Sequence, residues 1–343
     1  MSRDAAFPSP GPCAPASPDP ASPGPASPDP ASPDPASPEP GAEAARRTRA
    51  TLIGGIAVLL WALLALFTTW AAGIPPFQLV AMSFAVAFLV STSLLLLRGG
   101  RAALARLRQP PAVWLLGVGG LFGYHFFYFV ALGNAPPVDA SLIAYLWPLL
   151  IVVLSALLPG ERLRWFHLAG AVMGLFGAAL LVTDGFSRGG LFAVEGRYTA
   201  GYLAAAACAL TWSSYSVANR RFGKVPTDVV AGFCGAVALL GLLSHLVLER
   251  SVLPDATQWL AAVLLGLGPV GAAFFVWDYG TKHGNIQVLG ACAYAAPLLS
   301  TLLLVAFGAA EPSWAIAAAC ALIVGGALLA GQELLRRPRR KAR

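Results

Sequence analysis

Tyr145-Leu146-Trp147-Pro148-Leu149-Leu150 and Tyr294-Ala295-Ala296-Pro297-Leu298-Leu299 each place a proline near the middle of an apolar segment of membrane length. The two prolines stand 149 positions apart (297 − 148), and a tryptophan, Trp165 or Trp314, follows each by the same 17 positions (165 − 148 and 314 − 297). Gly177 and Gly326 keep the same register. The chain is built twice. A proline in mid-membrane leaves the carbonyl four residues back without its donor, here Ala144 and Ala293. Paired interrupted helices in matching positions of two repeats point to a transporter's binding site, so a small-molecule carrier is the leading reading, with Pro148 and Pro297 as hinges.

Composition agrees with a membrane setting. Hydrophobic residues make up 57% and charged residues 11% of the 343, with a mean hydropathy of +0.69, whereas soluble domains carry about 25% charged residues. The chain reads as an all-α integral membrane protein. Its net charge of +7 would suggest nucleic acid in a soluble chain. Here the basic residues lie in short hydrophilic connections, so they set orientation instead. Cys208, Cys234, Cys292 and Cys320 fall in apolar segments and Cys13 near the amino terminus, without metal-ligand or disulfide spacing. No cofactor is expected.

Residues 16–40 are five copies of Ala-Ser-Pro-x-Pro, a composition that favours solvated polyproline II, so residues 1–48 are expected to be a disordered tail. No cleavable signal peptide is visible, since the first long apolar run begins at about residue 51. Ten runs then approach the ~20 residues needed to cross a bilayer: 51–71, 77–97, 112–132, 138–158, 165–183, 198–219, 227–248, 257–280, 286–307 and 313–332. With both termini cytoplasmic, 20 of the 23 Lys and Arg residues fall inside, leaving Arg188, Arg197 and Arg250 outside. Five spans per half make the repeats inverted, 49–183 and 198–333, followed by a basic cytoplasmic tail, 334–343. Substrate is expected between the halves, near the midplane.

No Asp, Glu, Lys or Arg falls in the middle third of any span. The nearest are Asp139, at the outer end of the fourth, and Asp278, toward the inner end of the eighth. That argues against a cation–proton antiporter. The core offers aromatic and hydrogen-bonding groups instead: Tyr124, His125, Tyr128, Tyr145, Trp147, Trp212, Tyr215, Phe274, Trp277 and Tyr294. Tyr124 and Tyr128 share a helix face, as do Trp212 and Tyr215, and Phe274 and Trp277. Tyr145 and Trp147 are two apart and reach one cavity together only if Pro148 distorts the turn. Otherwise one of them packs against a neighbouring span, and position alone leaves lining and packing equally open for Tyr145, Trp147 and Trp212.

His125, an ionisable ring at membrane depth, is a functional candidate, a neutral packed histidine being the plainer alternative. Trp61, Trp70, Trp114, Trp165, Trp259 and Trp314 read as interfacial anchors or packing groups. Gly119-x-x-x-Gly123 and Gly170-x-x-x-Gly174 read as close-packing faces. The freed carbonyls of Ala144 and Ala293 are candidate acceptors for a substrate ammonium.

Two enzyme-like strings carry no chemistry. Gly185-Phe-Ser187-Arg-Gly189 lies in a polar loop without the strand-turn-helix of a nucleophile elbow. Gly266-Leu-Gly268-Pro-Val-Gly271 lies within a span, with no preceding strand. The chain is not read as an enzyme.

Ala144-Tyr-Leu-Trp-Pro148, Ser214-Tyr-Ser-Val-Ala-Asn-Arg220, Val276-Trp-Asp-Tyr-Gly280, His283-Gly-Asn285 and Tyr294-x-x-Pro297-Leu-Leu together resemble the drug/metabolite transporter superfamily with its EamA-type repeats. The likeness is strongest to its YddG-type aromatic amino acid exporters and spans about residues 49–335. The resemblance implies a central cavity lined by Tyr124, His125, Tyr128, Tyr145, Trp147, Trp212 and Trp277. It also implies an exporter of aromatic and other neutral amino acids in a bacterial inner membrane, working by alternating access. Its partners are then a small-molecule substrate and the lipid bilayer, with no nucleic acid and a monomer favoured. With so few intramembrane ionisable groups, transport is expected to run down the substrate gradient or with weak pH dependence through His125. The alternatives are a carrier of another neutral or quaternary-ammonium metabolite such as a nucleoside, or, in a different class, a non-transporting scaffold that docks through its tail.

Overall fold

Pro40, Pro76, Pro111 and Pro137 each begin a helix. At a first helical position the missing N–H costs nothing and φ is already set. These starts appear in a computed structural model of the protein, which describes residues 11, 40–183, 196–306 and 311–332.

The described chain is helical, because only helices can satisfy every backbone group within a segment surrounded by hydrocarbon. In order the helices are α1 (Pro40–Trp61), α2 (Leu64–Trp70), α3 (Pro76–Gly99), α4 (Pro111–Asn134), α5 (Pro137–Ala144), α6 (Trp147–Leu154), α7 (Trp165–Val182), α8 (Thr199–Asn219), α9 (Val229–Leu248), α10 (Ala256–Leu267), α11 (Ala273–His283), α12 (Ile286–Cys292), α13 (Ala295–Ala306) and α14 (Trp314–Ala330). Short 3-10 turns connect some of them, and a π-helical turn, Gly268–Ala272, joins α10 to α11.

Among the described residues eight helical stretches are long and apolar enough to cross a membrane, and α14 is a shorter apolar helix. The protein is therefore a multi-pass membrane protein. Leu97, Leu115 and Val247 stand exposed on its exterior, as expected for groups facing acyl chains.

Several expectations change. α1 begins at Pro40 and so takes up the end of the segment expected to be a disordered tail. Gly-Ala-Glu-Ala-Ala-Arg-Arg, after the last proline, is rich in helix formers and carries Glu43 in the first turn. The remaining tail, apart from residue 11, lies outside the described residues, as do the Ser187 string and the carboxyl-terminal tail. The first span breaks at Ala62–Leu63, and the eighth contains the π turn. Here the Gly266–Gly271 string, empty as a nucleotide motif, acquires a structural meaning. Pro269 cannot donate within the helix, and the ladder widens around it.

The helices pair as a duplicated plan would have them. α1 lies along α11 and α4 along α8, while α3 pairs with α9 and α7 with α14. Gly170 and Gly326 bring α7 and α14 into backbone contact, since a Cβ on either would strike the other's carbonyl oxygen. Gly54 and Gly280 do the same for α1 and α11. On α4 the close faces are Gly117, against Phe233, and Gly120, against Tyr215. Gly119 has nothing near it, which corrects the Gly119/Gly123 pairing read from sequence.

Polar contacts gather at the two ends of the bundle. At one end, Glu249 accepts the backbone N–H groups of Phe77 and Gln78 at 2.9 and 3.1 Å, and Gln258 donates to the Ala72 carbonyl at 2.7 Å beside the left-handed Gly73 (φ 92°). At the other, Glu161 accepts from Arg47 at 2.8 Å and from Arg220 at 2.7 Å.

Candidate functional site

Two adjoining cavities, of about 200 and 330 Å³, occupy the middle of the bundle and share Leu64, Tyr124, His125, Tyr145, Trp147 and Val270 as walls. Both exist because helices stop in mid-span. α5 ends at Ala144 and α6 starts at Trp147, so Tyr145 and Leu146 fall in an irregular turn. That turn lets Tyr145 and Trp147 line the same space, which a regular helix would not allow. In the second half, α12 stops at Cys292 and α13 starts at Ala295, which sets Ala293, Ala296 and Pro297 on the wall of the smaller cavity.

Four tryptophans from four helices cluster beneath the chamber, and three of them, Trp61, Trp147 and Trp212, line the smaller cavity. Trp61, Trp147, Trp212 and Trp277 lie with every pair of ring centroids between 5.0 and 6.2 Å apart. Trp61 Nε1 donates to the Pro269 carbonyl at 3.1 Å, tying the end of α1 to the π turn. This overturns the interfacial reading of Trp61. The break after α1 places its ring in mid-bundle, and its position midway along the run 51–71 was the available signal. Trp165 and Trp314 are exposed.

Tyr124, His125, Tyr145 and Phe274 line the smaller cavity, and Tyr124, His125, Tyr128, Ala144 and Tyr145 the larger. The Tyr124 and Tyr128 rings stack 6.1 Å apart at 3°, and the Tyr128 hydroxyl sits 3.3 Å from that of Ser141. Phe84, which sequence reasoning did not single out, stacks on Phe274 at 5.8 Å and meets His125 edge-on at 5.3 Å. A phenylalanine in an apolar helix gives no signal of its own. His125 Nδ1 lies 2.7 Å from the Leu121 carbonyl. A carbonyl only accepts, so Nδ1 carries the proton, and in the neutral ring Nε2 is left as an acceptor.

Three residues expected at the site stand off the cavity. Tyr215 is buried against Gly120, and Trp277 lies beneath Trp212, donating to the Ser216 hydroxyl at 3.1 Å. Tyr294 is wholly buried against Gly174, its hydroxyl accepting the Leu149 N–H at 3.2 Å. The cause is common to all three: the opposing helix face carries a glycine or serine, and the ring fills that gap. Pro148 is also buried. The Ala293 carbonyl is not wholly free, since it accepts from the Ala296 N–H at 3.1 Å.

Below the tryptophans the bundle is closed by a polar network. Asp278 is 0% exposed and accepts from Asn219 (2.9 Å), Thr227 (2.7 Å) and Lys282 (2.8 Å). Lys282, counted from sequence among loop cations, is instead 5% exposed and also donates to the Val225 carbonyl at 3.1 Å. The four-residue spacing of Asp278 and Lys282 was the legible hint. Arg220 bridges Glu161 to the Gly284 carbonyl (2.7 Å), and burial lowers its guanidinium pKa against the raising effect of Glu161. The Asn285 side chain caps the start of α12, and its N–H donates to the Thr51 hydroxyl at 2.7 Å.

The arrangement is an aromatic chamber whose walls, among the described residues, carry no Asp, Glu, Lys or Arg. It can hold a flat or apolar group against rings and a small polar group against hydroxyls and one imidazole. Among the described residues no cluster of His, Cys, Asp and Glu could hold a metal ion.

The sequence model of the EamA-like transporter family matches residues 48–183 and 199–332. The aromatic amino acid exporter YddG of Ancylobacter novellus is 57% identical over 284 residues, covering 83% of this chain and 97% of that protein. A probable terminal-alkyne amino-acid exporter of Streptantibioticus cattleyicolor is 29% identical, covering 81% of this chain and 93% of that one. A crystal structure 56% identical in sequence superposes with a TM-score of 0.79, covering 84% of this chain and 98% of that one.

Proposed function

Because the chain belongs to the EamA-like transporter family, we propose that it exports aromatic and other neutral amino acids across the bacterial inner membrane by alternating access. The observation that carries this reading is the chamber itself, which has aromatic walls, no charged lining residue and a histidine Nε2 left to accept. A neutral amino acid presents an apolar or aromatic side chain and a zwitterion without net charge. The rings take the first, at about 0.5–1.5 kcal/mol per well-placed aromatic pair beyond area burial. His125 and the hydroxyls of Tyr124, Tyr145 and Ser300 take the second. The name of the 57% identical relative supports the same cargo.

We read ten crossings in two inverted halves, 49–183 and 198–333, by counting α8 and α14 with the eight long apolar stretches. α8 is 21 residues long but polar toward one end, because Ser213, Ser216 and Asn219 face other helices and never meet lipid. α14 has 17 residues, roughly 26 Å of helix at 1.5 Å per residue, close to the hydrocarbon core. With both termini cytoplasmic, Glu161, Arg220 and Asp278 lie on the inner side and Glu249 and Gln258 on the outer. On that orientation the larger cavity extends to Thr68 and Pro76 toward the outer side, and we read the state as open outward.

The deciding experiment is counterflow of radiolabelled phenylalanine in proteoliposomes, beside a Trp147→Ala control and with unlabelled amino acids, nucleosides and choline as competitors. Saturable uptake that is blocked by amino acids, with half-saturation raised in the variant, upholds the reading. Folded, monodisperse protein without phenylalanine counterflow removes aromatic amino acids as cargo. Competition by choline in place of amino acids transfers the chamber to quaternary ammonium compounds, which aromatic rings also bind without a carboxylate.

A further inference from the structure

A third cavity, of about 380 Å³, lies on the other side of the π turn from the chamber. Val90, Ser91 and Leu94 of α3 face Leu267, Phe275 and Val276 across it, and Arg98, Arg106 and Asp228 stand at its mouth. Leu94 and Leu267 are exposed on the bundle exterior, so the cleft opens sideways toward lipid.

Its dimensions and charge identify an occupant. Along α3 the cleft runs from Ala87 to Arg98, which is about 16 Å of helix at 1.5 Å per residue. One leaflet of a ~30 Å hydrocarbon core is about that deep. The deep end is apolar, and the shallow end carries two arginines. Arg106 is held by Asp228 at 2.7 Å, while Arg98, exposed at the end of α3, makes no salt bridge among the described residues. An apolar slot one leaflet deep, ending in a cation at the headgroup level, complements an anionic amphiphile.

We propose that this cleft binds an anionic phospholipid of the cytoplasmic leaflet, with one acyl chain lying between α3 and the π turn and the phosphate on Arg98 and Arg106. The inference rests on the inner-side placement of Arg98 and not on the identity of the cargo. The chain would back the wall that carries the site. Leu267, Gly271 and Ala272 face the cleft, whereas Pro269 and Val270 face the chamber. Filling the cleft therefore supports the π turn from behind in the outward-open state.

The test is native mass spectrometry of the full chain after incubation with phosphatidylglycerol or phosphatidylcholine, with glycerol 1-phosphate as a soluble competitor. Expected is one retained phosphatidylglycerol in preference to phosphatidylcholine. Arg98→Ala should reduce retention about fivefold, the equivalent of ~1 kcal/mol for one basic residue at the membrane surface. Ser91→Phe, which fills the slot, should abolish it. Equal retention of both lipids, unchanged retention in Arg98→Ala, or displacement by glycerol 1-phosphate as effective as by lipid overturns the proposal. Should Ser91→Phe not fold, the exposed Arg98→Ala decides alone. Phenylalanine counterflow does not enter this readout, so a wrong cargo and a wrong lipid site remain distinguishable.

Discussion

The hydroxyl of Tyr294 accepts the backbone N–H of Leu149 at 3.2 Å, so the interrupted helix of the second half repairs the one in the first. Leu149 follows Pro148, and its N–H would otherwise be buried without a partner. Leaving such a donor unmade costs about 1–3 kcal/mol. Tyr294→Phe is expected to lower the unfolding temperature in detergent, while Tyr145→Phe, whose ring lines the chamber, leaves it unchanged and weakens substrate binding. Equal melting of the two variants would refute the division of roles.

Trp147 and Trp61 touch within the cluster at 6.0 Å, and each lines the smaller cavity. Replacing either by alanine removes an aromatic wall worth about 0.5–1.5 kcal/mol, or roughly two- to twelvefold in affinity. Half-saturation for phenylalanine counterflow should rise by that factor in each variant. For Trp61→Ala the rise comes with a loss of stability, because the Pro269 carbonyl also loses its donor.

Asp278 and Lys282 form a fully buried pair. Asp278→Asn strands an ammonium in the interior, at a cost of about 3–5 kcal/mol. Asp278→Leu combined with Lys282→Met removes both charges and should recover most of that loss. Thermal unfolding of the single and double variants checks this, and a double variant no more stable than the single would exclude the pairing as the cause.

Glu161 holds Arg47 from the first half and Arg220 from the second at one end of the bundle. Glu161→Gln weakens both contacts and, on the proposed orientation, is expected to shift the population away from the state in which Ser141 is reached from outside. In a background lacking native cysteines, Ser141→Cys reports on the larger cavity. Its labelling by a membrane-impermeant thiol reagent from outside should slow when Glu161→Gln is added. Unchanged labelling would show that this carboxylate does not hold its end of the bundle closed.

Much of the site could be read residue by residue. Tyr124, His125, Tyr145, Trp147, Trp212 and Phe274 were named from their mid-span positions, and all stand on the smaller cavity. Tyr215, Trp277 and Tyr294 were named by the same logic and do not line it. Depth in the membrane is set by position along a helix, which sequence gives. Whether a ring faces a gap or a neighbouring glycine depends on a second helix, which sequence does not give. Trp61 shows the opposite error. Sequence leaves it an interfacial anchor or a packing group, whereas the break after it and its contacts with three other tryptophans put it at the centre.

Composition, the 149-residue register and the family match determine by themselves that this is a helical, multi-pass membrane protein with a doubled plan. Backbone groups in hydrocarbon leave few alternatives to helices, and a repeated sequence repeats its fold. Only the tertiary structure decided which faces meet: that Tyr294 braces Leu149 while Tyr145 opens onto the chamber, and that Lys282 lies within α11 and is buried with Asp278. It also turned a dismissed glycine string into a π turn between two cavities. The physical reason is that helix period orients a side chain about its own axis. Only packing against another helix says what that side chain meets.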